Sequence, residues 1–241
     1  MKKVGLIGFG RFGEVLYNLL KKDFSVLVYD SREIKNDAVN FSSLNEVLDC
    51  LIIFIATPIS TFKECVKEIS INKLYNTTII DVCSVKVYPV RIMEEYLQKN
   101  VGIIASHPHF GPDSFSPFRE LKITLYPVRD LYNRYDVLKD FFEKQSIRTI
   151  NITPDEHDKM AASSQGITHF IGRVLEEFGI RSTEINTLGF AELLSVVEQT
   201  CNDSWDLFRD LQKYNPYTNE MIDNLVDKIS NLHSQIKNDA N

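Results

Sequence analysis

The chain has 241 residues, of which 44% are hydrophobic and 25% are charged. This composition is typical of a soluble globular protein with room for a substantial core. The formal net charge of −6 and the lack of a dense lysine and arginine stripe argue against a nucleic-acid partner. No apolar run is long enough to cross a bilayer, and the chain opens on a strand pattern rather than on a leader peptide. We therefore expect a cytoplasmic protein with no membrane partner.

The cysteines are scattered along the chain, with no CxxC pair and no zinc-type spacing. They are Cys50, Cys65, Cys83 and Cys201. Thiols placed in this way are typical of a reducing compartment. The sequence therefore predicts no metal site.

Up to about residue 150, short apolar runs alternate with helical patterns such as residues 13–22 and 132–145. Several runs are continuous and β-branched, which favours parallel strands that are covered on both faces. The pattern predicts an α/β fold with a Rossmann-like, doubly wound, mainly parallel sheet. The predicted strands are Lys3–Ile7, Ser25–Tyr29, Leu51–Ile55, Thr78–Val82, Gly102–Ser106, Ile123–Tyr126 and Arg148–Ile152.

After Asn151 the strand signals stop and helical patterns take over. Thr153 to Glu156 has the form of a capping box with proline at the first helical position. The helix that begins there is predicted to reach Phe178, where Gly179 ends it, and further helices are predicted near residues 189–201 and 216–236. We predict two domains, a dinucleotide-binding domain at residues 1–152 and a small all-helical domain at residues 153–241. The second domain is too small to bury a large hydrophobic core of its own, so we expect it to pack on the first domain, on a second subunit, or on both.

Residues 8–13 read Gly-Phe-Gly-Arg-Phe-Gly, and they follow a predicted strand and open a predicted helix. In this context Gly8 permits a tight turn, Gly10 lets a pyrophosphate approach the backbone, and Gly13 lets helix and strand pack closely. A glycine-rich turn without a ligand is the alternative. The predicted cofactor-binding residues are Gly8, Phe9, Gly10, Arg11, Phe12, Gly13, Asp30, Ser31, Arg32, Thr57, Pro58 and Ser84.

Asp30 ends the next strand, about 20 residues on, where a carboxylate accepts hydrogen bonds from a ribose and repels a 2′-phosphate. This favours NAD. Ser31 and Arg32 follow directly, and a guanidinium there could instead hold a 2′-phosphate, so NADP stays open. Thr57 and Pro58 follow a later strand and are expected near the nicotinamide half.

Ser84 and His107 each come just after a predicted strand, which places both at the same edge of the sheet. Imidazole is the side chain whose ordinary pKa suits proton abstraction near neutral pH. We predict that His107 is a catalytic base, that Ser84 hydrogen-bonds the reacting hydroxyl, and that Lys86 binds a substrate carboxylate. The alternatives are that His107 only caps a loop, or that His109 is the functional imidazole.

The predicted long helix carries a second group of polar residues. On a 3.6-residue period one face holds His157, Ala161, Ser164, Gln165 and Thr168, with His169 at its edge and Arg173 further along. Such a face suits the wall of a polar cleft, and it suits a close helix–helix contact equally well.

These residues resemble the prephenate/arogenate dehydrogenase family of tyrosine biosynthesis, and its plant-type arogenate enzymes in particular. The resemblance covers nearly the whole chain in order. Its motifs are residues 8–13, Asp81-Val82-Cys83-Ser84-Val85-Lys86, residues 107–112, 156–158, 164–169 and 172–175, Ile185-Asn186-Thr187, 197–200, and Asp203-Ser204.

The resemblance implies an enzyme that oxidatively decarboxylates a cyclohexadienyl acid with hydride transfer to NAD or NADP. His107 is similar to the family's catalytic histidine, and Ser84 to the serine that contacts the hydroxyl and the cofactor. The family's helical domain implies a substrate-binding wall and a homodimer. The substrate-binding residues expected on this basis are Ser84, Lys86, His107, His157, Asp158, Gln165, His169 and Arg173.

The chain departs from the family pattern in two places. His109 stands where the usual motif has methionine. Near Gly189-Phe190-Ala191, where many bacterial prephenate enzymes have an arginine that holds the substrate side chain, this chain has Ser195 and no arginine. The alternatives for this role are Arg173, Gln165, His169 and a residue of the partner subunit. Asp158, if it faces the cleft, favours the ammonium group of arogenate over the keto group of prephenate.

Two other functions remain open on the sequence alone. One is a different dehydrogenase of this architecture, of the 3-hydroxyacid or imino-acid type. The other is a non-catalytic NAD(P)-binding sensor that regulates a partner.

Overall fold

The computed structural model describes residues 3–115 and 120–239. The chain divides into two compact units, Met1–His157 and Asp158–Asn241. This division falls a few residues after the boundary expected from the sequence, and what each unit does stays a prediction. None of the described helices is long and apolar enough to cross a membrane.

The first unit is built on a sheet of seven strands in the order β2-β1-β3-β4-β5-β6-β7. Neighbouring strands pair in parallel except β5 and β6, which are antiparallel. This confirms the predicted Rossmann-like, mainly parallel sheet. The strands are β1 (Lys3–Ile7), β2 (Ser25–Tyr29), β3 (Ile52–Ile55), β4 (Thr78–Asp81), β5 (Gly102–Pro108), β6 (Leu121–Arg129) and β7 (Ile147–Ile150).

Helices connect the strands of the first unit and cover the sheet. They are α1 (Arg11–Leu20), α2 (Leu44–Leu48), α3 (Ile59–Ser70), α4 (Val87–Tyr96) and α5 (Arg134–Lys144). Every residue of β3 and β4 is buried, as the continuous apolar runs predict for central parallel strands. The carboxyl ends of β1, β3, β4 and β5 therefore lie along one edge of a rigid, buried sheet.

The structure extends β5 beyond its predicted end. In the antiparallel pair His107 lies opposite Thr124, and Pro108 lies opposite Ile123. The prediction that His107 follows a strand is therefore wrong, since it lies inside β5. The cause is the pairing with β6, a long-range contact that a local pattern does not reveal.

The helical part of the chain begins with α6 (Pro154–Ala161), which spans the division between the units. The predicted capping box is confirmed, because the Glu156 amide donates to Thr153 Oγ1 at 3.3 Å and the Thr153 amide donates to the Glu156 carboxylate at 3.0 Å. The remaining elements are a π-helical segment (Ala162–Gly166), α7 (Ile167–Phe178), α8 (Leu188–Cys201), α9 (Trp205–Tyr214) and α10 (Thr218–Asp239).

The π-helical segment changes the helical phase between α6 and α7, since a π turn holds an extra residue. The single polar face predicted from a regular 3.6-residue period is therefore wrong. His157 is buried, whereas Ser164 and Thr168 are exposed, and their hydroxyls donate to the carbonyls of Met160 (2.6 Å) and Ser164 (2.9 Å). Gly179 ends α7 as predicted, with a left-handed φ of 83°.

Helices α7 and α8 approach each other closely at Gly172. A Cβ atom at this position would lie 2.0 Å from Thr200 Oγ1 and 3.1 Å from Thr200 Cβ. The first contact is too short for real atoms and the second is unusually tight. Thr200 is held in place because its hydroxyl donates to the Val196 carbonyl at 2.8 Å.

We expect Gly172→Ala to lower the free energy of unfolding by about 1–3 kcal/mol, because the added methyl group overpacks this contact. Gly189→Ala is the matched control, since a Cβ atom there meets nothing within 4 Å. Urea unfolding followed by the fluorescence of Trp205, the single tryptophan of the chain, measures both variants. Equal stability of the two variants would contradict the close packing of α7 on α8.

Candidate active site

The glycine-rich loop joins β1 to α1 and has the steric features of a nucleotide-binding turn. Gly8 has a φ of 95°, and a Cβ atom there would lie 2.6 Å from the Ala56 carbonyl oxygen. At Gly13 a Cβ atom would lie 2.4 Å from the Gly8 carbonyl oxygen. At Gly10, by contrast, a Cβ atom would meet nothing within 4 Å. Gly8 and Gly13 are thus required by the fold itself, whereas Gly10 keeps open the space in front of the loop.

Gly10 is also the N-cap of α1, and no side chain caps this helix end. The first amides of an α-helix have no partner within the helix, and together with the helix dipole they attract anions. The residues present therefore fit a pyrophosphate at this position.

Asp30 follows β2 and is anchored by several donors. Its carboxylate accepts from the Phe9 amide at 2.7 Å and forms an ion pair with Arg32 at 2.8 Å. Burial alone would raise the pKa of Asp30, but the hydrogen bonds from Arg32 and Phe9 outweigh it and lower that pKa to about 2. Asp30 is therefore ionised at neutral pH and ties the glycine-rich loop to the end of β2.

Two further loops reach the same edge of the sheet. Thr57 and Pro58 follow β3, and the Thr57 amide lies 3.1 Å from the position of a Gly8 Cβ atom. Arg11 of the glycine-rich loop forms an ion pair of 2.7 Å with Asp113, which follows β5. Sequence reasoning missed Asp113, since only the fold brings together residues that are 102 positions apart.

A buried ion pair fixes the ends of β4 and β5. The Lys86 ammonium contacts the Asp81 carboxylate and the Ser106 carbonyl, and the side chains of the pair are 1% and 0% exposed. Asp81 also accepts from the amides of Cys83 (3.1 Å) and Ser106 (3.2 Å). Burial raises the pKa of Asp81, and the adjacent Lys86 opposes that rise. The prediction that Lys86 binds a substrate carboxylate is therefore wrong, because the Lys86 ammonium is buried and paired with Asp81.

Ser84 lies in the loop held by this pair, three residues after the end of β4, and it is half-buried. The pair fixes both the start of this loop and the backbone next to His107. Ser84 in the loop after β4 and His107 near the end of β5 therefore both lie at the same edge of the sheet.

Three histidines meet at the end of β5. His107 Nδ1 lies 2.8 Å from His157 Nε2, and His109 Nε2 lies 2.8 Å from Thr124 Oγ1. The ring centroid of His107 lies 4.5 Å from that of His109 and 5.0 Å from that of His157. His107 and His157 are buried, whereas His109 is exposed. The structure brings His157 to His107 rather than to an open substrate wall, and sequence reasoning missed Thr124.

The imidazoles of His107 and His109 are both held in their neutral form. Burial, with the neighbouring His109, His157 and Lys86, lowers the pKa of His107 well below 6.5. Partial burial, with His157, Lys86 and Lys122, lowers the pKa of His109 to about 4. A neutral imidazole has a lone pair with which to accept a proton, so His107 has the protonation state that a general base needs.

In the second unit, Gln165, His169 and Arg173 recur at intervals of four residues. Gln165 Oε1, His169 Nδ1 and Arg173 Nε are buried, with no hydrogen-bond partner among the described residues. Such unsatisfied atoms are rare in native proteins and call for a ligand, water or ion. Burial also lowers the pKa of His169, although the nearby Asp203 opposes this.

Arg173 and Asp158 each make contacts within the protein that the sequence does not reveal. The Arg173 guanidinium donates to the carbonyl of Asp203 and lies 5.7 Å from the ring of Trp205. Asp158 is fully buried, and its carbonyl accepts from Asn215 Nδ2 at 2.8 Å. A fully buried Asp158 does not face an open cleft, so the sequence-based argument for an ammonium substrate is lost.

Two family models match the chain, one in each unit. Residues 23–131 match the family described as prephenate dehydrogenase, nucleotide-binding domain. Residues 174–241 match the family described as TYRAAT1-like, C-terminal domain.

Two plant proteins are similar to the chain over almost all of its length. Arogenate dehydrogenase 2, chloroplastic, of Arabidopsis thaliana is 32% identical over 238 residues, which is 92% of this chain and 66% of that protein. Arogenate dehydrogenase 1, chloroplastic, of the same plant is 31% identical over 97% of this chain and 39% of its own length. The chain thus spans less than two thirds of the length of either relative.

A solved structure has the same fold. The prephenate dehydrogenase of A. aeolicus, in complex with hydroxyphenyl propionate and NAD+, covers all of this chain with a TM-score of 0.76 and 19% sequence identity. The chain covers 92% of that structure.

We expect Lys86→Met to lower the free energy of unfolding by about 3–5 kcal/mol, because it leaves the Asp81 carboxylate buried without its counter-charge. The double variant Asp81→Asn with Lys86→Met should recover most of the loss. Lys122→Met is the matched control, since Lys122 forms an exposed ion pair of 3.0 Å with Glu120, and such a pair contributes about 1 kcal/mol or less. Equal losses for the two single variants in a urea titration would contradict the role of the buried pair.

Proposed function

This chain belongs to the prephenate/arogenate dehydrogenase family, and from this premise we propose that it oxidatively decarboxylates arogenate or prephenate with NAD(P)+. The proposal makes it an oxidoreductase of tyrosine biosynthesis. The observation that carries it is the buried, neutral His107, hydrogen-bonded to His157 at the same sheet edge as the glycine-rich loop.

The cofactor would be held by the loop of residues 8–13, by Asp30 with Arg32, and by Thr57 and Pro58 after β3. The open space at Gly10 and the uncapped end of α1 support a pyrophosphate there. When bound, the cofactor supplies the hydride acceptor. NAD+ is favoured because the carboxylate of Asp30 repels a 2′-phosphate. Arg32 is already paired with this carboxylate, so NADP+ would have to compete with Asp30 for it.

His107 is the proposed general base for the ring hydroxyl of the substrate. For Nε2 of His107 to accept that proton, its Nδ1 must carry the ring hydrogen, which it then donates to His157 Nε2. His157 thus acts as a positioning residue, because it selects the tautomer of the base and orients its ring. In this proposal Ser84 donates to, or accepts from, the same hydroxyl and aligns it with His107.

Loss of the ring carboxylate as carbon dioxide makes the product aromatic, and this drives the reaction. The enzyme therefore needs to supply little beyond one base, correct orientation and exclusion of water. The substrate side chain would be bound by residues of the helical unit, for which the unsatisfied atoms of Gln165, His169 and Arg173 are the support. The structure gives no reason to prefer arogenate over prephenate, whereas the names of the two plant relatives favour arogenate.

We propose that the first unit binds the dinucleotide and that the second supports substrate binding and a homodimer. Many large apolar side chains of the second unit are exposed, among them Phe178 (83%), Ile185 (88%), Leu188 (78%), Leu232 (59%) and Ile236 (68%). Surfaces of this kind mark protein interfaces. A sedimentation mass of one chain at micromolar concentration would exclude the homodimer. The cytoplasmic location expected from the sequence stays a proposal, and the two plant relatives are named as chloroplastic.

We expect the purified protein to reduce NAD+ in the presence of arogenate or prephenate, and an absorbance assay should test both substrates with NAD+ and with NADP+. His107→Ala should lower kcat by about 10²–10⁴-fold, because it removes the general base, while NAD+ affinity measured by calorimetry is kept. His233→Ala is the matched control, since His233 is an exposed histidine of α10.

Two results would contradict the proposal. If none of the four assays shows turnover while NAD+ binding is confirmed separately, a non-catalytic NAD(P)-binding sensor or a dehydrogenase for another hydroxyacid would be favoured. Undiminished turnover by His107→Ala would exclude His107 as the base.

A further inference from the structure

The three histidines at the end of β5 have the arrangement of a metal-binding cluster. One ring nitrogen from each of His107, His109 and His157 lies within 4.8 Å of the others. All three belong to the first unit. Two are buried and fixed by β5 and α6, whereas His109 is exposed and gives solvent access. His109 and His157 are 48 residues apart in the chain, so the cluster is a product of the fold.

The chemistry of this donor set is selective. Three imidazoles without a carboxylate suit zinc, copper, nickel or cobalt, and not magnesium or calcium, which need oxygen ligands. Three protein nitrogens with a fourth position open to solvent are one of the common ligand sets for Zn²⁺.

We propose that His107, His109 and His157 bind one Zn²⁺ ion, and that this ion inhibits the enzyme by occupying its base. The inhibition rests on the proposed function, whereas binding of the metal does not.

Modest movements of the side chains would complete the site. Zinc–nitrogen bonds of about 2.0–2.1 Å set nitrogen separations of about 3.3 Å. The 2.8 Å pair of His107 Nδ1 and His157 Nε2 would therefore open by about half an ångström, and the separations to His109 would close by about 1.5 Å at most. His109 already has Nε2 bonded to Thr124 Oγ1, which leaves Nδ1 for the metal and fixes the ring in the way that outer-shell partners of metal ligands do.

Two lysines near the cluster set a limit on the affinity. The positive charge of Lys86 acts on both His107 and His109, and that of Lys122 acts on His109. Each lysine is paired, Lys86 with Asp81 and Lys122 with Glu120, so the net charge that a cation meets is small. We therefore expect micromolar rather than nanomolar binding.

Zinc binding and proton abstraction by His107 require different tautomers of its imidazole ring and therefore exclude each other. A metal on His107 Nδ1 displaces the hydrogen from that nitrogen, and a neutral ring must then carry it on Nε2. Nε2 becomes a donor and has no lone pair for the proton of the substrate. Zinc thus blocks His107 as a proton acceptor.

Calorimetric titration of the metal-free protein with zinc chloride tests the binding. We expect one site with a dissociation constant of about 1 µM. His109→Met and His157→Gln should each weaken it by about 100-fold or more, because loss of even an outer-shell partner costs about 10- to 100-fold. His233→Gln is the control for adventitious binding, and it should bind as the unmodified protein does.

His109→Met is the decisive variant, because His109 is exposed and its replacement is not expected to disturb the fold, which a thermal melt checks. Failure to bind zinc below about 100 µM, or equal affinity in His109→Met, would overturn the site.

Activity with added zinc, expressed for each variant relative to its own zinc-free rate, tests the inhibition. Zinc should inhibit the unmodified protein and not His109→Met. Zinc binding without any turnover would keep the site and reject the proposed function, whereas turnover without zinc binding would reject only the site. Turnover that persists with zinc bound would refute the proposed inhibition.

Discussion

The buried pair of Asp81 and Lys86 is the interaction on which the rest of the site depends. It joins the end of β4, the loop of residues 82–86 and the Ser106 carbonyl of β5 in one contact that is closed to solvent. Breaking such a pair is costly, because either charge alone is poorly tolerated in the interior. Ser84 and His107 are attached directly to the two segments that the pair fixes, so their separation is set by the core and not by flexible loops.

The same pair shapes the chemistry of the neighbouring histidines. The Lys86 ammonium contributes to the lowered pKa of His107 and to that of His109, in addition to burial and to the other rings. In a neutral His107 whose Nδ1 is engaged by His157, Nε2 is the nitrogen left for the proposed proton transfer, and the proposed binding of zinc competes with that role. The tautomer of one imidazole thus links the substrate chemistry to the metal chemistry.

Local patterns predicted what depends on local physics. The continuous apolar runs revealed the parallel sheet, the spacing of Gly8 to Gly13 revealed the nucleotide-binding turn, and Thr153 with Glu156 revealed the start of α6. What the sequence could not reveal depends on pairing between distant segments. Lys86 is drawn inward by Asp81, β5 is lengthened by β6, and the fold brings His157 to His107, 50 residues away in the chain. The histidine cluster was missed for the same reason, since its members are far apart in the chain and the cysteine spacing carried no metal signal.

The proposed function depends on a site that holds His107 neutral and able to accept a proton. Imidazole ¹⁵N NMR of the folded protein from about pH 4 to about pH 8 tests this most directly. The pKa of His107 in the folded protein is below the ordinary value of 6.5, so the unfolded chain binds a proton at this residue more readily than the folded protein does. The contribution of His107 to the free energy of unfolding is therefore complete above about pH 6.5 and is lost as the pH falls below it. The account predicts that His107 stays neutral at pH 6 with its hydrogen on Nδ1, while the urea-unfolded chain titrates near pH 6.5. A His107 that is half-protonated at or above pH 6.5 in the folded protein would contradict it.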